Sequence, residues 1–307
     1  MSCVLVTPRS LTSAAHPALD RLRVAGLSTR FCTAGQLPDE AELLRLVPGC
    51  VGWLAGVEPV SPAVIAAADA LRVISRNGTG VDNLPLADLA RRGIAVCKSG
   101  GANAAGVAEL ALGLIFAALR HIPAADRGIR SGHWPRPVGR EVRGRTVGVV
   151  GCGAVGAEVA RLLVALGANV LGFDPVWPAL GLPPERFALS GLDELLRRSD
   201  VVTLHCPTPA DGRPLLDAAA LRALPRGASV INTARAALVD ESAIVAALDS
   251  GQLAAYATDV FPTEPPRPLG LAAHPGVIAT SHIGGLTGES VERAAMTAVD
   301  NLLAALA

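Results

Sequence analysis

The sequence predicts an α/β protein of two doubly wound parallel-sheet domains, and three observations predict it. Short apolar runs alternate with helical patterns from the start to about residue 98. A strand, glycine loop, helix and strand follow one another over 145–174, and the alternation then resumes to residue 279. Strands joined by helices run parallel and need helices on both faces.

Taken in order, the first strand is expected at 3–6 and a helix near 15–25. Further strands are expected at 51–54, 72–75 and 94–97, separated by helices at 62–70 and 86–92. Residues 103–120 form a helical run that is apolar nearly all round, through Val107, Leu110, Leu112, Leu114, Ile115, Phe116 and Leu119. Such a helix has to be buried on all sides, between domains or against another subunit. Residues 121–144 break the pattern with Pro123, Pro135, Pro137, several arginines and Trp134, and they read as an arm or linker.

The stretch RTVGVVGCGAVGAEVARLLVALGANVLGFD (145–174) is the most informative. A β-branched run at 146–150 leads into Gly151, Gly153 and Gly156, then an amphipathic helix, then a second strand ending at Asp174. Gly151 permits a tight turn, Gly153 lets a pyrophosphate approach the backbone, and Gly156 lets the helix pack closely on its strand. The phosphates would then meet unpaired N–H groups at the positive end of the helix. Asp174 is placed to accept hydrogen bonds from the adenosine ribose and to repel a 2′-phosphate, so the expected cofactor is NAD on a Rossmann sheet.

After Asp174 the strands are expected at 201–205, 229–232, 254–260 and 277–279, with helices at 192–198, 218–224 and 241–248. The last helix, 289–306, follows the final strand and has one apolar face left to bury, so it is expected to return to the first domain.

Half of the 307 residues are hydrophobic and 18% are charged, enough apolar material for two cores. The formal net charge is zero, which leaves no general basic field for nucleic acid or an anionic membrane. The six cysteines, Cys3, Cys32, Cys50, Cys97, Cys152 and Cys206, show no metal-like spacing and read as thiols in a reducing compartment. The opening MSCVLVTPR reads as a strand rather than a signal peptide, and the apolar run 110–119 is too short to span a bilayer. A cytoplasmic protein without metal, nucleic-acid or membrane partners is expected.

Ligands of doubly wound sheets bind beyond the carboxyl ends of strands, and four loops there carry chemistry. They are RNGTGVDN (76–83), NTARAALVD (232–240), DVFPTEP (259–265) and TSHIGG (280–285). Arg235 offers a planar, permanently charged fork that grips a carboxylate and polarises the carbonyl beside it. His282 is the side chain suited to proton transfer near neutral pH, and Glu264, if it touches that imidazole, would orient it and favour its protonated form. With a bound nicotinamide these groups make a site for hydride transfer to a 2-oxo acid.

Those motifs, together with GANAAGVAEL (101–110) and SGHWPR (131–136), run in order through almost the whole chain, and the chain resembles the D-isomer-specific 2-hydroxyacid dehydrogenases. It is most similar to their phosphoglycerate dehydrogenase branch without its regulatory extension. The resemblance implies a Rossmann NAD domain, 101–286, inserted in a flavodoxin-like substrate domain made from 1–100 and 287–307, with a cleft between them. It implies Arg235, Glu264 and His282 as the catalytic residues. It implies cofactor contacts at Thr79, at Gly151, Gly153, Ala154, Val155 and Gly156, at Asp174, Cys206, Thr233, Ala234, Arg235, Asp259 and His282, and at Gly284, with Asp259 holding the carboxamide. Backbone N–H groups of Thr79, Gly80 and Val81 would receive the substrate carboxylate, with Gly78 and Gly80 leaving room and Arg76 or Arg136 available to a distal anion.

The chain departs from that pattern in two places. Ala236 follows Arg235 where the family usually has glycine, and Ala55-Gly56 stand where phosphoglycerate enzymes commonly carry an arginine for the phosphate. The expected function is therefore an NAD-dependent oxidoreductase interconverting a small anionic D-2-hydroxy acid and its 2-oxo acid, with phosphoglycerate only one candidate. The alternatives are an NAD(H)-sensing binding protein on the same fold and, less well matched because Glu264 is retained, a formate dehydrogenase-like enzyme. The apolar helix at 103–120 and the arm after it predict a homodimer.

Overall fold

The computed structural model describes residues 2–176 and 178–307. The chain divides after Asn103 and after Leu286 into two compact units, the outer one combining both chain ends. The first break lies three residues beyond the expected one.

The outer unit begins with β1 (Cys3–Val6), α1 (Arg9–Thr12), α2 (Pro17–Val24), β2 (Ser28–Phe31), α3 (Glu40–Leu46), β3 (Cys50–Ala55), α4 (Pro62–Ala67), β4 (Val73–Arg76), α5 (Leu86–Arg91) and β5 (Ala95–Lys98). Its strands are all parallel and lie in the order β2-β1-β3-β4-β5, the flavodoxin-like winding. Leu5, Trp53 and Ile74 fill the core on one face, and Val4, Val6, Leu54 and Val73 fill the other, as alternation along a strand requires.

The inserted unit holds α6 (Ala104–Leu119), α7 (Ile122–Arg130), β6 (Thr146–Val150), α8 (Ala154–Ala165), β7 (Asn169–Phe173), β8 (Phe187–Leu189), α9 (Leu192–Arg198), β9 (Val201–Leu204), α10 (Ala218–Ala223), β10 (Ala228–Asn232), α11 (Glu241–Asp249), β11 (Leu253–Thr258) and β12 (Val277–Ala279). The seven parallel strands run β12-β11-β10-β9-β6-β7-β8, so the order reverses between β6 and β9. That is the Rossmann arrangement with one strand added at the far edge. Val202, Val230 and Tyr256 point into one core, while Val201, Ile231 and Ala257 point into the other.

The final helix, α12 (Gly288–Leu306), belongs to the outer unit and packs on β3, β4 and β5. Gly52 meets it closely: a Cβ there would stand 3.2 Å from Leu302 Cδ1. Buried Ser75 and Ser99 donate to the carbonyls of Ala298 (2.7 Å) and Ala294 (2.9 Å), which fixes the helix along the sheet.

Several elements differ from expectation. Residues 121–144 are not wholly irregular, because α7 starts after His121, which turns the chain in a left-handed conformation (φ 54°) ahead of Pro123. Edge strand β2 (STRF) has a single apolar residue and β8 (FAL) a run of only three without a β-branched side chain, so neither is predicted. For α3 the signal was present: Asp39 accepts from the Glu42 N–H at 2.8 Å, an N-cap with an acid three residues on. Apolar α6 is buried largely within its own unit, against α8, β10 and β11, where Ala108, Ala111 and Ala118 allow close approach. Its burial therefore needs no second subunit. No single helix among the described residues is long and apolar enough to cross a membrane.

Candidate active site

The glycine loop leaves β6 at the point where the strand order reverses. Gly151 has φ 88°, and a Cβ on it would stand 2.7 Å from the His205 carbonyl carbon and oxygen. A Cβ on Gly156 would stand 1.8 Å from the Gly151 oxygen, so α8 can approach only with glycine there. Gly153 is different: it caps α8 in extended backbone, and a Cβ on it would meet nothing within 4 Å. The space in front of the first helical turn, where Ala154 and Val155 begin α8, is open, and the first N–H groups of a helix have no intrahelical acceptor. Dense packing under Gly151 and Gly156 with room over Gly153 fits a dinucleotide pyrophosphate.

Asp174 ends β7 beside this loop. Its Oδ2 accepts from Cys152 N at 2.8 Å and its Oδ1 from Val176 N at 2.9 Å, so the carboxylate is tied to the glycine loop while remaining partly exposed. Burial pushes the Cys152 and Cys206 thiols up to about 11, with Asp174 adding to both, so both stay protonated and inert at neutral pH. His205, at the end of β9, is driven down to about 3 by burial and is therefore neutral. Its ring nitrogens share hydrogen bonds with Thr203 Oγ1 (2.8 Å) and Thr233 Oγ1 (3.4 Å).

Arg235, Glu264 and His282 follow β10, β11 and β12, three neighbouring strands. The turn carrying Arg235 is built by fully buried Asn232, which accepts from Ala234 N (3.0 Å) and donates to the Arg235 carbonyl (2.9 Å). Arg235 Nη1 donates to the Ala234 carbonyl at 2.7 Å. Ala236 opens a short 3₁₀ turn, so the loss of glycine at that position is accommodated without positive φ.

His282 Nδ1 donates to Glu264 Oε2 at 2.7 Å, and Glu264 Oε1 accepts from Phe261 N at 3.1 Å. The two side chains remain 53% and 37% exposed, so the dyad is open to a ligand. His282 has φ 56°, a left-handed conformation uncommon outside glycine. That turn aims the next two N–H groups at one carboxylate: Asp259 accepts from Ile283 N and Gly284 N, both at 2.9 Å, and from Thr280 Oγ1 at 2.6 Å. Asp259, only 2% exposed, thus holds the loop on both sides of His282.

The RNGTGVDN loop follows β4 of the five-stranded sheet in the outer unit. Arg76 is 7% exposed, and its guanidinium lies against Gly78 (φ 146°), where a Cβ would come within 2.8 Å of Nη1. Thr79 is exposed and Gly80 and Val81 are half-buried, and Thr79 Oγ1 donates to Asn103 Oδ1 at 3.4 Å. Arg136 is an exposed residue of the arm. Among the described residues no group of three His, Cys, Asp or Glu side chains gathers as a metal site.

Sequence reasoning passed over Asn232, Thr203, Thr233 as a partner of His205, and His205 itself. Asn232 at the end of an apolar strand was a readable signal; the histidine contacts join separate strands and were not.

An open dinucleotide cradle at the switch point of a Rossmann sheet defines a dinucleotide-binding α/β protein. Residues 112–284 match the family described as D-isomer specific 2-hydroxyacid dehydrogenase, NAD binding domain, and the chain belongs to that family. It is 37% identical over 273 residues to the D-3-phosphoglycerate dehydrogenase of Mycobacterium bovis, an overlap of 88% of this chain and 52% of that one. The chain thus spans about half the length of the curated relatives it matches. Among solved structures, a Thermus thermophilus protein is 37% identical with a TM-score of 0.86, covering 99% of this chain and 96% of its own. A glyoxylate reductase from Paecilomyes thermophila has the same TM-score at 27% identity, covering 99% and 95%.

Proposed function

We propose that this chain is an NAD-dependent oxidoreductase that interconverts a small anionic D-2-hydroxy acid and its 2-oxo acid. The observation that carries the reading is the placement of Arg235, Glu264 and His282 beyond three adjacent strands of the sheet whose β6 end bears the glycine cradle. The inserted unit is then the NAD domain and the outer unit the substrate domain. Bound NADH supplies the hydride for reduction. Arg235 holds the substrate carboxylate and polarises the carbonyl with its fork. His282 donates the proton to the developing alkoxide from Nε2, because Nδ1 is engaged by Glu264. Glu264 fixes the ring, Asp259 sets the backbone that presents it, and in the outer unit the N–H groups of Thr79, Gly80 and Val81 are the proposed seat for a substrate carboxylate.

We also assign the chain to a homodimer in a reducing, cytoplasmic setting. Support for the first comes from Ile122, Ile129, Trp134 and Val138, all more than half exposed on α7 and the arm. Support for the second comes from the six cysteines, all free thiols. Sedimentation as a monomer at micromolar concentration refutes the dimer. The function is tested by the loss of NADH absorbance with hydroxypyruvate, phosphohydroxypyruvate, glyoxylate and pyruvate. Turnover of at least one is expected, and NADH binding without any turnover would instead identify a sensor.

A further inference from the structure

The outer unit contains a buried acid that the mechanism above leaves unused. Glu58, three residues beyond β3, is fully buried. Its Oε1 accepts from Gly56 N at 2.9 Å and from the Thr7 hydroxyl, which in turn accepts from Trp53 Nε1 at 2.9 Å. Oε2 is buried without a hydrogen-bond partner, and a Cβ on Gly56 would lie 2.6 Å from it. A carboxylate placed this way costs free energy unless a cation faces it. Burial raises the Glu58 pKa, opposed first by the hydrogen bond from Thr7, then by the backbone N–H groups, and last by the charge of Arg76.

Arg76 is the Cα partner of Ala55 across β3 and β4, and it opens the RNGTGVDN loop. Its guanidinium supports Gly78 from beneath and its Nη1 donates to the Asn77 carbonyl at 2.5 Å. The far end of the same loop is tied to the same acid's backbone, since Asn83 Nδ2 donates to the carbonyls of Glu58 (2.6 Å) and Gly56 (3.3 Å). The opening of the loop that presents Thr79, Gly80 and Val81 is thus paired with Ala55, where Asn77 N donates to its carbonyl at 2.8 Å, and the far end with Gly56 and Glu58, so both ends are referred to the 55–58 segment.

We propose that Glu58 and Arg76 act as one buried unit that sets the position of the 78–81 backbone for the substrate carboxylate, with Glu58 a positioning residue. The inference rests on the reading of that loop as the carboxylate seat. A purely structural acid would affect stability alone. A positioning acid affects substrate affinity while leaving proton transfer, which belongs to His282, untouched.

The test is steady-state kinetics with the 2-oxo acid turned over best in the panel above, on the full chain. Glu58→Gln keeps the shape and the Oε1 acceptor but removes the buried negative charge. It should raise KM about tenfold, the size of a coupling between buried neighbours, with kcat and the NADH dissociation constant unchanged. Arg76→Lys, which loses the fork, should raise KM similarly, and Glu58→Asp, which keeps the charge but shortens its reach, decides the matter if Glu58→Gln does not fold, an unchanged KM there overturning the unit. The double variant should raise KM no further than either single one. An unchanged KM in Glu58→Gln with a lowered Tm, or additive effects in the double variant, overturns the unit while leaving the proposed function standing. Absence of turnover by the unaltered chain overturns both.

Discussion

Replacing the second glycine of the cradle separates cofactor binding from folding. At Gly153 the backbone is extended (φ −71°, ψ −159°) and a Cβ would touch nothing within 4 Å, so Gly153→Ala creates no clash in the protein. Alanine is a poorer helix N-cap than glycine, which costs about 0.5–1 kcal/mol. The new methyl instead occupies the space through which a pyrophosphate would reach the helix N–H groups. One charge-assisted hydrogen bond contributes about 1.5–3 kcal/mol, so NADH affinity should fall roughly 10–100-fold. Gly156→Ala behaves in the opposite way. Its Cβ would lie 1.8 Å from the Gly151 oxygen, a separation that only movement of α8 against β6 can relieve, at a cost of about 1–3 kcal/mol or more. NADH fluorescence titration and thermal unfolding of the two variants should show Gly153→Ala stable but weak in binding, and Gly156→Ala destabilised. NADH affinity equal to the unaltered protein in Gly153→Ala would refute the placement of the pyrophosphate.

Other perturbations have equally definite outcomes. His205 is held at about 3 in the folded chain against 6.5 when unfolded, so its contribution to stability is present above pH 6.5 and is lost as pH falls from there toward 3. By pH 5 the loss should reach about 1–2 kcal/mol after allowing for its residual exposure, and urea unfolding at pH 8 and pH 5 should show it missing in His205→Gln; parallel losses would contradict this. Asp259→Asn replaces an acceptor of two backbone N–H groups and a hydroxyl with a group that can clash with one of those donors. It should cost about 1–3 kcal/mol of stability and lower kcat, and wild-type kcat would show that the loop around His282 needs no such support. Asp174→Ala removes the acid that disfavours a 2′-phosphate, so the ratio of NADH to NADPH efficiency should narrow; an unchanged ratio places cofactor choice elsewhere.

The parts of this molecule that were legible in the sequence are those whose chemistry admits few residue types. Gly151 and Gly156 have no space for a side chain, and Arg235, Glu264 and His282 each follow an apolar run long enough to be seen as a strand. Edge strand β2 (STRF) was invisible because it has a single apolar residue, β8 (FAL) because its three-residue run has no β-branched side chain, and α7 because no residue of it is buried. The supports of the site were hidden for another reason. Asp259 reaches N–H groups 24 and 25 residues away, and Thr7 reaches Glu58 across 51, distances at which no local pattern connects the partners. Apolar α6 was legible as buried but not as to what covers it, since a helix without a polar face does not distinguish its own sheet from another subunit.

The most direct test of the account is NADH oxidation by the unaltered chain and by His282→Gln, each with the same panel of 2-oxo acids and with NADH binding measured in parallel. The unaltered chain should consume NADH with at least one of them, and His282→Gln should bind NADH equally well while its turnover falls roughly 10²–10⁴-fold, the range for a positioned proton donor. Turnover in His282→Gln matching that of the unaltered chain would contradict the assignment of the proton to this histidine.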